Sequence, residues 1–203
     1  MKSSHKNLKT KGLRGFTLVE LLTVVTIIVI LSGMVVGVSS FVQRKAAVEK
    51  ARVQMELFNL KINEYKADAG GYLPPTMEED IEAKSGLIIY RMLYGDGIGA
   101  DGIAGTADDG ALDGEPDEGA VVYIPDLNPN ANNQNWIDKK GSDVPVEIVD
   151  PWGSPWRFRN QKGDPDQQNP DFDLWSVGPD GKTGPKTTSG TGKSGCHLRG
   201  GGG

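Results

Sequence analysis

The sequence predicts an α+β chain: one long N-terminal α-helix, membrane-spanning in its first half and amphipathic in its second, packed on a small antiparallel β-sheet domain. Three observations lead there. Residues 21–43 contain no charged side chain, and Glu20 is the only charge between Arg14 and Arg44. Beyond that run, Val48, Ala51, Met55, Phe58, Ile62 and Tyr65 recur at spacings of 3, 4, 3, 4 and 3, the single apolar stripe of a helix half-buried on its own domain. The rest of the chain consists of short apolar stretches between Gly- and Pro-rich turns, the punctuation of short strands.

A helix rises about 1.5 Å per residue, and about 20 apolar residues cross a bilayer core. Residues 16–42 are therefore long enough to span, and too long for the apolar region of an ordinary secretory signal. Before them, Lys2, Lys6, Lys9, Lys11 and Arg14 occur with no acid, which places the N-terminus on the cytoplasmic side. Glu20 at the start of this helix needs a partner, because a carboxylate in hydrocarbon costs on the order of 2.5–3.5 kcal/mol. A cut between Gly15 and Phe16 would supply one: the new α-amino group of a neighbouring copy, paired with Glu20, would set register among identical helices.

At these residues the chain resembles a known family. A basic leader ending in glycine, then Phe16-Thr17-Leu18-Val19-Glu20 and a long apolar run, is similar to the class III signal of type IV pilins and type II secretion pseudopilins. The resemblance implies a pilin-like fold, cleavage of leader 1–15 after Gly15 by a prepilin peptidase, N-methylation of Phe16, and use of Glu20 in assembly. It further implies a transmembrane and assembly helix over 16–42, an amphipathic helix of the periplasmic domain over 43–69, and a globular domain over 70–181. Gly33-x-x-x-Gly37 lies in the first helical half, and small residues at this spacing allow close helix approach in membranes. Gly37 stands where many family members carry a proline that marks a locally melted stretch in assembled filaments.

The amphipathic half carries Glu49, Lys50, Arg52, Glu56, Lys61, Glu64 and Lys66 mostly off its stripe, with Arg52 and Glu56 an i,i+4 pair. Gly70-Gly71 end the helix by supplying positive φ, and Pro74-Pro75 prevent its resumption. The exit, from Ala67 through Gly70-Gly71-Tyr72-Leu73-Pro74-Pro75, resembles that of the type II secretion major pseudopilin. Residues 86–93 read as a short buried helix. Strands are expected over 120–124, 144–149, 156–158 and 172–177, and a polar loop over 128–141.

Residues 95–119 hold Asp96, Asp101, Asp108, Asp109, Asp113, Glu115, Asp117 and Glu118, no base, and repeated glycines. Such a segment repels itself and is expected to be disordered in plain water. Calcium would change that, because it takes six to eight oxygens from a flexible loop. EF-hand spacing is not met, and a calcium loop and a solvated acidic insertion are both open.

The C-terminal blocks Asp150-Pro151-Trp152-Gly153-Ser154-Pro155-Trp156 and Phe172-Asp173-Leu174-Trp175-Ser176-Val177-Gly178-Pro179-Asp180-Gly181 extend the resemblance to the major pseudopilin. In that family the last loop binds structural calcium, which implies the Val177 carbonyl and Asp180 here. The family's further acidic stretch is missing: residues 182–203 contain no acid and read as a flexible tail. The expectation is that the insertion holds a calcium ion of its own, through Asp96, Asp101, Asp108, Asp109 and Asp113.

The net charge of −5 falls to a more negative value once the basic leader is removed, which argues against nucleic-acid binding through a basic face. The single Cys196 forbids an intramolecular disulfide. His5 and His197 lie in the leader and the tail, and no Gly-x-Ser-x-Gly or phosphate loop is present, so no enzyme is expected. The resemblance implies a subunit of the periplasmic pseudopilus, anchored by a single pass in the bacterial inner membrane with its C-terminal domain in the periplasm. Its implied partners are further copies of itself, minor pseudopilins, the prepilin peptidase and the inner-membrane assembly platform. Alternatives are a type IV pilin of a surface filament and a membrane-anchored calcium-binding module that never polymerises.

Overall fold

The computed structural model describes residues 15–76, 84–139, 147–160, 166–181 and 199–201, with the side chains of 35–40 and 199–201 outside the description. The expected leader, apart from Gly15, therefore lies outside the described residues. The chain divides into two compact units, one ending at Lys45 and the other beginning at Ala46.

Helix α1 (Leu18–Asp68) starts in the first unit, and its backbone runs unbroken through Gly37. In this unit Leu18, Leu21, Leu22, Val25, Ile28, Leu31 and Met34 are all exposed, so the helix is apolar with nothing of its own unit packed on it. Among the described residues no helix is long and apolar enough to cross a membrane. The described side chains of the expected span end at Met34, and the span continues through the undescribed side chains of 35–40.

In the second unit α1 turns one face inward. Ala51, Met55, Phe58, Ile62 and Tyr65 are buried, as the stripe predicts, while Val53 and Leu60 face out. Gln54 is a buried polar neighbour of the stripe that the periodicity does not reveal; its Nε2 donates to the Val149 carbonyl at 3.0 Å. Arg52 pairs with Glu49 at 3.7 Å rather than with Glu56. The helix ends where expected: Gly70 and Gly71 take φ of 65° and 94°, and the Gly71 N–H returns to the Lys66 carbonyl at 2.7 Å.

Helix α2 (Ser85–Tyr94) buries Ile89, Tyr90, Met92 and Leu93 and packs on the strands. Gly86 permits this approach, since a Cβ there would stand 2.9 Å from the Glu147 Cβ and 3.1 Å from the Ile148 backbone. Gly95 closes α2 in the left-handed region and donates to the Arg91 carbonyl. Strands β1 (Ile137–Asp138) and β2 (Glu147–Ile148) pair antiparallel. Strands β3 (Arg157–Arg159), β4 (Asp173–Trp175) and β5 (Arg199–Gly201) form a second antiparallel sheet in the order β3-β4-β5. Phe58, Trp156, Phe158, Phe172 and Leu174, all buried, join α1 to these strands in one core. The fold is thus α+β, a helix packed on small antiparallel sheets.

Three expectations are corrected. Residues 120–124 form no strand, because the Tyr123 and Ile124 N–H groups both donate to the Leu93 carbonyl at the end of α2, at 3.0 Å, instead of to a neighbouring strand. The loop expected over 128–141 contains β1, set up by Asn132, whose Oδ1 accepts the Trp136 and Ile137 N–H groups. The tail expected to be flexible contributes β5, paired through main-chain register with Leu174 opposite Gly200; residues 182–198, 202 and 203 lie outside the described residues. Of the strand expected over 144–149, residues 144–146 also lie outside them.

Burial pushes the Tyr65 phenol up to about 12, and raises Tyr90 and Tyr123 as well, these two aided by the Asp96 and Asp68 carboxylates that accept their O–H groups. A raised phenol favours the neutral form in the folded chain. The stability it contributes is complete below the unfolded value of about 10 and is lost as pH rises through the folded one. The phenolate absorbance of the folded protein should therefore rise at higher pH than that of the denatured chain, and the domain should lose stability between about pH 10 and 12.

Candidate functional site

The candidate assembly site is the start of α1. Gly15 and Phe16 precede the helix, and Phe16 is 84% exposed, so the bond between them is open to a protease. Thr17 is the N-cap. Its N–H and its Oγ1 both donate to Glu20 Oε2 at 2.9 Å, and the Glu20 N–H donates back to Thr17 Oγ1 at 3.2 Å. This reciprocal capping box satisfies two amides that a helix start leaves free. Both bonds to the carboxylate fall on Oε2, and among the described residues no donor reaches Oε1. Thr17 is the residue of this candidate site that sequence reasoning passed over; the Ser/Thr-x-x-Glu spacing was the signal available. Further along, the Thr23 and Thr26 hydroxyls donate to the Glu20 and Leu22 carbonyls, so neither polar group is left bare on the apolar helix.

The acidic insertion is ordered, not repelled apart, because its carboxylates are turned onto N–H and O–H donors. Asp96, fully buried, accepts the Tyr90 hydroxyl at 2.8 Å and the Asp113 and Gly114 N–H groups at 3.1 and 3.0 Å. Burial raises its carboxyl above the usual range, against the pull of those three donors. Asp108 accepts the Thr106 hydroxyl and the Ala100 and Asp101 N–H groups, and that hydroxyl, followed by the backbone donors, lowers its carboxyl. Asp109 accepts the Gly105 and Thr106 N–H groups and the Arg91 guanidinium. Asp101 and Asp113 each accept the N–H two residues on. Gly99 takes φ of 71° and admits the Asp108 carbonyl so closely that a Cβ would lie 2.5 Å from it. The loop docks on the end of α1, where Tyr65 accepts the Ala104 N–H and Tyr72 donates to the Gly105 carbonyl.

The C-terminal blocks meet at Asp150, which is buried. Its Oδ1 accepts the Trp152 and Ser154 N–H groups at 3.0 and 2.9 Å, and its Oδ2 accepts the Ser176 hydroxyl, which in turn accepts the Gly178 N–H. Val177 is half-buried beside this knot and Asp180 is exposed.

The metal expectation is answered only by the donor set. Calcium wants six to eight converging oxygens. Among the described residues no three of His, Cys, Asp and Glu converge in that way. Asp96, Asp108 and Asp109 have both oxygens engaged by protein donors, and Asp150, the acid bonded to the serine before Val177, is likewise filled. Among the described residues, the carboxylates of the insertion do not converge on a shared ion as they stand.

Residues 11–36 match the prokaryotic N-terminal methylation motif. The chain is 27% identical over 170 residues to type II secretion system core protein G of Pseudomonas aeruginosa, an alignment covering 84% of this chain and 86% of that protein. No solved structure matches the chain.

Proposed function

We infer that the chain is a pseudopilin, a structural subunit of the pseudopilus of a type II secretion system. The observation that carries the inference is that one chain combines the methylation motif at 11–36 with similarity to a type II core protein over 84% of its length. On this reading a prepilin peptidase cuts between Gly15 and Phe16 and methylates the new amine. Residues 16–42 hold the subunit in the inner membrane until it joins the filament, and the domain from Ala46 onward stands in the periplasm. Its role there is structural, in contact with further copies, minor pseudopilins and the assembly platform.

Glu20 then has two tasks on two oxygens. Oε2 stays on Thr17 and fixes the carboxylate at the helix start, and Oε1 faces outward for the α-amine of a neighbouring Phe16. Pairing relieves the cost of carrying a carboxylate into an apolar bundle, and it distinguishes the right register from a slipped one.

Deletion of the gene tests the function. Secreted proteins should accumulate in the periplasm while surface pili and twitching persist. Loss of filaments with secretion intact would reassign the chain to a surface pilin. Glu20→Ala should leave cleavage after Gly15 intact and reduce filament assembly at least tenfold, measured by cross-linking of subunits in intact cells. Wild-type assembly of that variant would remove Glu20 from the register role.

A further inference from the structure

We propose that Arg91, rather than a metal ion, closes the acidic insertion at 95–119, so that the domain folds and keeps this loop without calcium. Arg91 projects from the last turn of α2, where a cation also complements the helix dipole. Its Nη1 pairs with Asp109 Oδ2, and its Nη2 donates to the Gly110 carbonyl at 3.0 Å. The pair is largely withdrawn from solvent, with side chains 19% and 14% exposed. One guanidinium thus grips both a carboxylate and a main-chain oxygen of the loop, the two-pronged recognition that a planar fork of donors provides.

The rest of the loop is arranged around that grip. The Asp109 carboxylate also accepts the Gly105 and Thr106 N–H groups, which folds 105–109 into a tight turn. Asp108 gathers the Ala100 and Asp101 amides, which ties the start of the loop to the same turn, and the Gly110 N–H donates to the Gly97 carbonyl at 3.1 Å. Asp117 accepts the Gly99 N–H, and Asp96 accepts those of Asp113 and Gly114. Calcium would need carboxylate oxygens released from these amides and gathered at 2.3–2.6 Å around a dication, roughly the spacing such ions take. Here that dication would also stand beside a fixed positive charge. The insertion therefore trades the divalent ion for one arginine and a set of backbone donors.

The test uses the purified full-length protein in detergent, followed by thermal unfolding in EGTA and with added calcium chloride. The wild-type midpoint should be the same in both. Arg91→Ala and Asp109→Asn should each lower it by roughly 5–10 °C, equally in both buffers, and open residues 95–119 to limited proteolysis. Arg91→Lys, which keeps the charge but not the fork, should recover less than half of that loss. A wild-type midpoint that rises by several degrees with calcium would overturn the proposal, as would an Arg91→Ala variant with wild-type stability and protection. If Arg91→Ala fails to fold, the wild-type comparison in the two buffers still decides the question.

Discussion

Phe58→Ala should destabilise the domain that begins at Ala46 by about 3–5 kcal/mol, lowering its thermal midpoint by roughly 10–15 °C. Phe58 is fully buried, and it meets two tryptophans edge-on: Trp136 at 5.8 Å between ring centroids and Trp156 at 5.7 Å. Edge-to-face contact adds to the area that each ring removes from water, and both terms vanish together in the alanine variant. Because Phe58 sits on α1 while Trp136 lies beside β1 and Trp156 beside β3, the cavity would open where the helix joins both sheets. Leu60→Ala, two residues away on the exposed face, is the matched control and should change the isolated subunit by less than about 0.5 kcal/mol. Denaturant unfolding of the two variants checks the contrast. Equal effects would mean that α1 is not docked through this face.

Asp150→Ala should cost about 2–4 kcal/mol, since it leaves the part-buried Trp152 and Ser154 amides and the buried Ser176 hydroxyl without their acceptor. The loss falls on the link between two turns 26 residues apart in sequence, so it loosens both. Ser176→Ala should cost about 1 kcal/mol, and the double variant should lose less than the sum of the two, because one bond is shared. Additive losses would show that the two side chains stabilise their turns independently. Asp150→Asn, which keeps one acceptor oxygen for the two amides, should retain more than half of the stability.

The calcium question and these buried knots have a common physical basis. A buried carboxylate must be met by donors, and the acidic insertion uses its own amides, the Tyr90 and Thr106 hydroxyls and one arginine. From composition, residues 95–119 are only a run of acids with no base. Arg91, which neutralises the run, lies just outside it, on the preceding helix. That is why like charges in the sequence pointed to disorder or a metal, while the folded loop is ordered by hydrogen bonds.

The sequence by itself determined the long helix, its buried stripe from Ala51 to Tyr65, its glycine stop, the short second helix, and the Gly15-Phe16…Glu20 signal. Each of these depends on periodicity or on adjacent residues, so each is local. Only the tertiary structure decided that Gln54 is buried, that 120–124 pairs with the end of a helix, that β1 forms around Asn132, and that Arg199–Gly201 adds an edge to β4. It also decided which donor each aspartate finds. Those outcomes depend on partners distant in the chain, and a backbone amide, unlike a side chain, leaves no mark in a sequence of where its hydrogen bond will go.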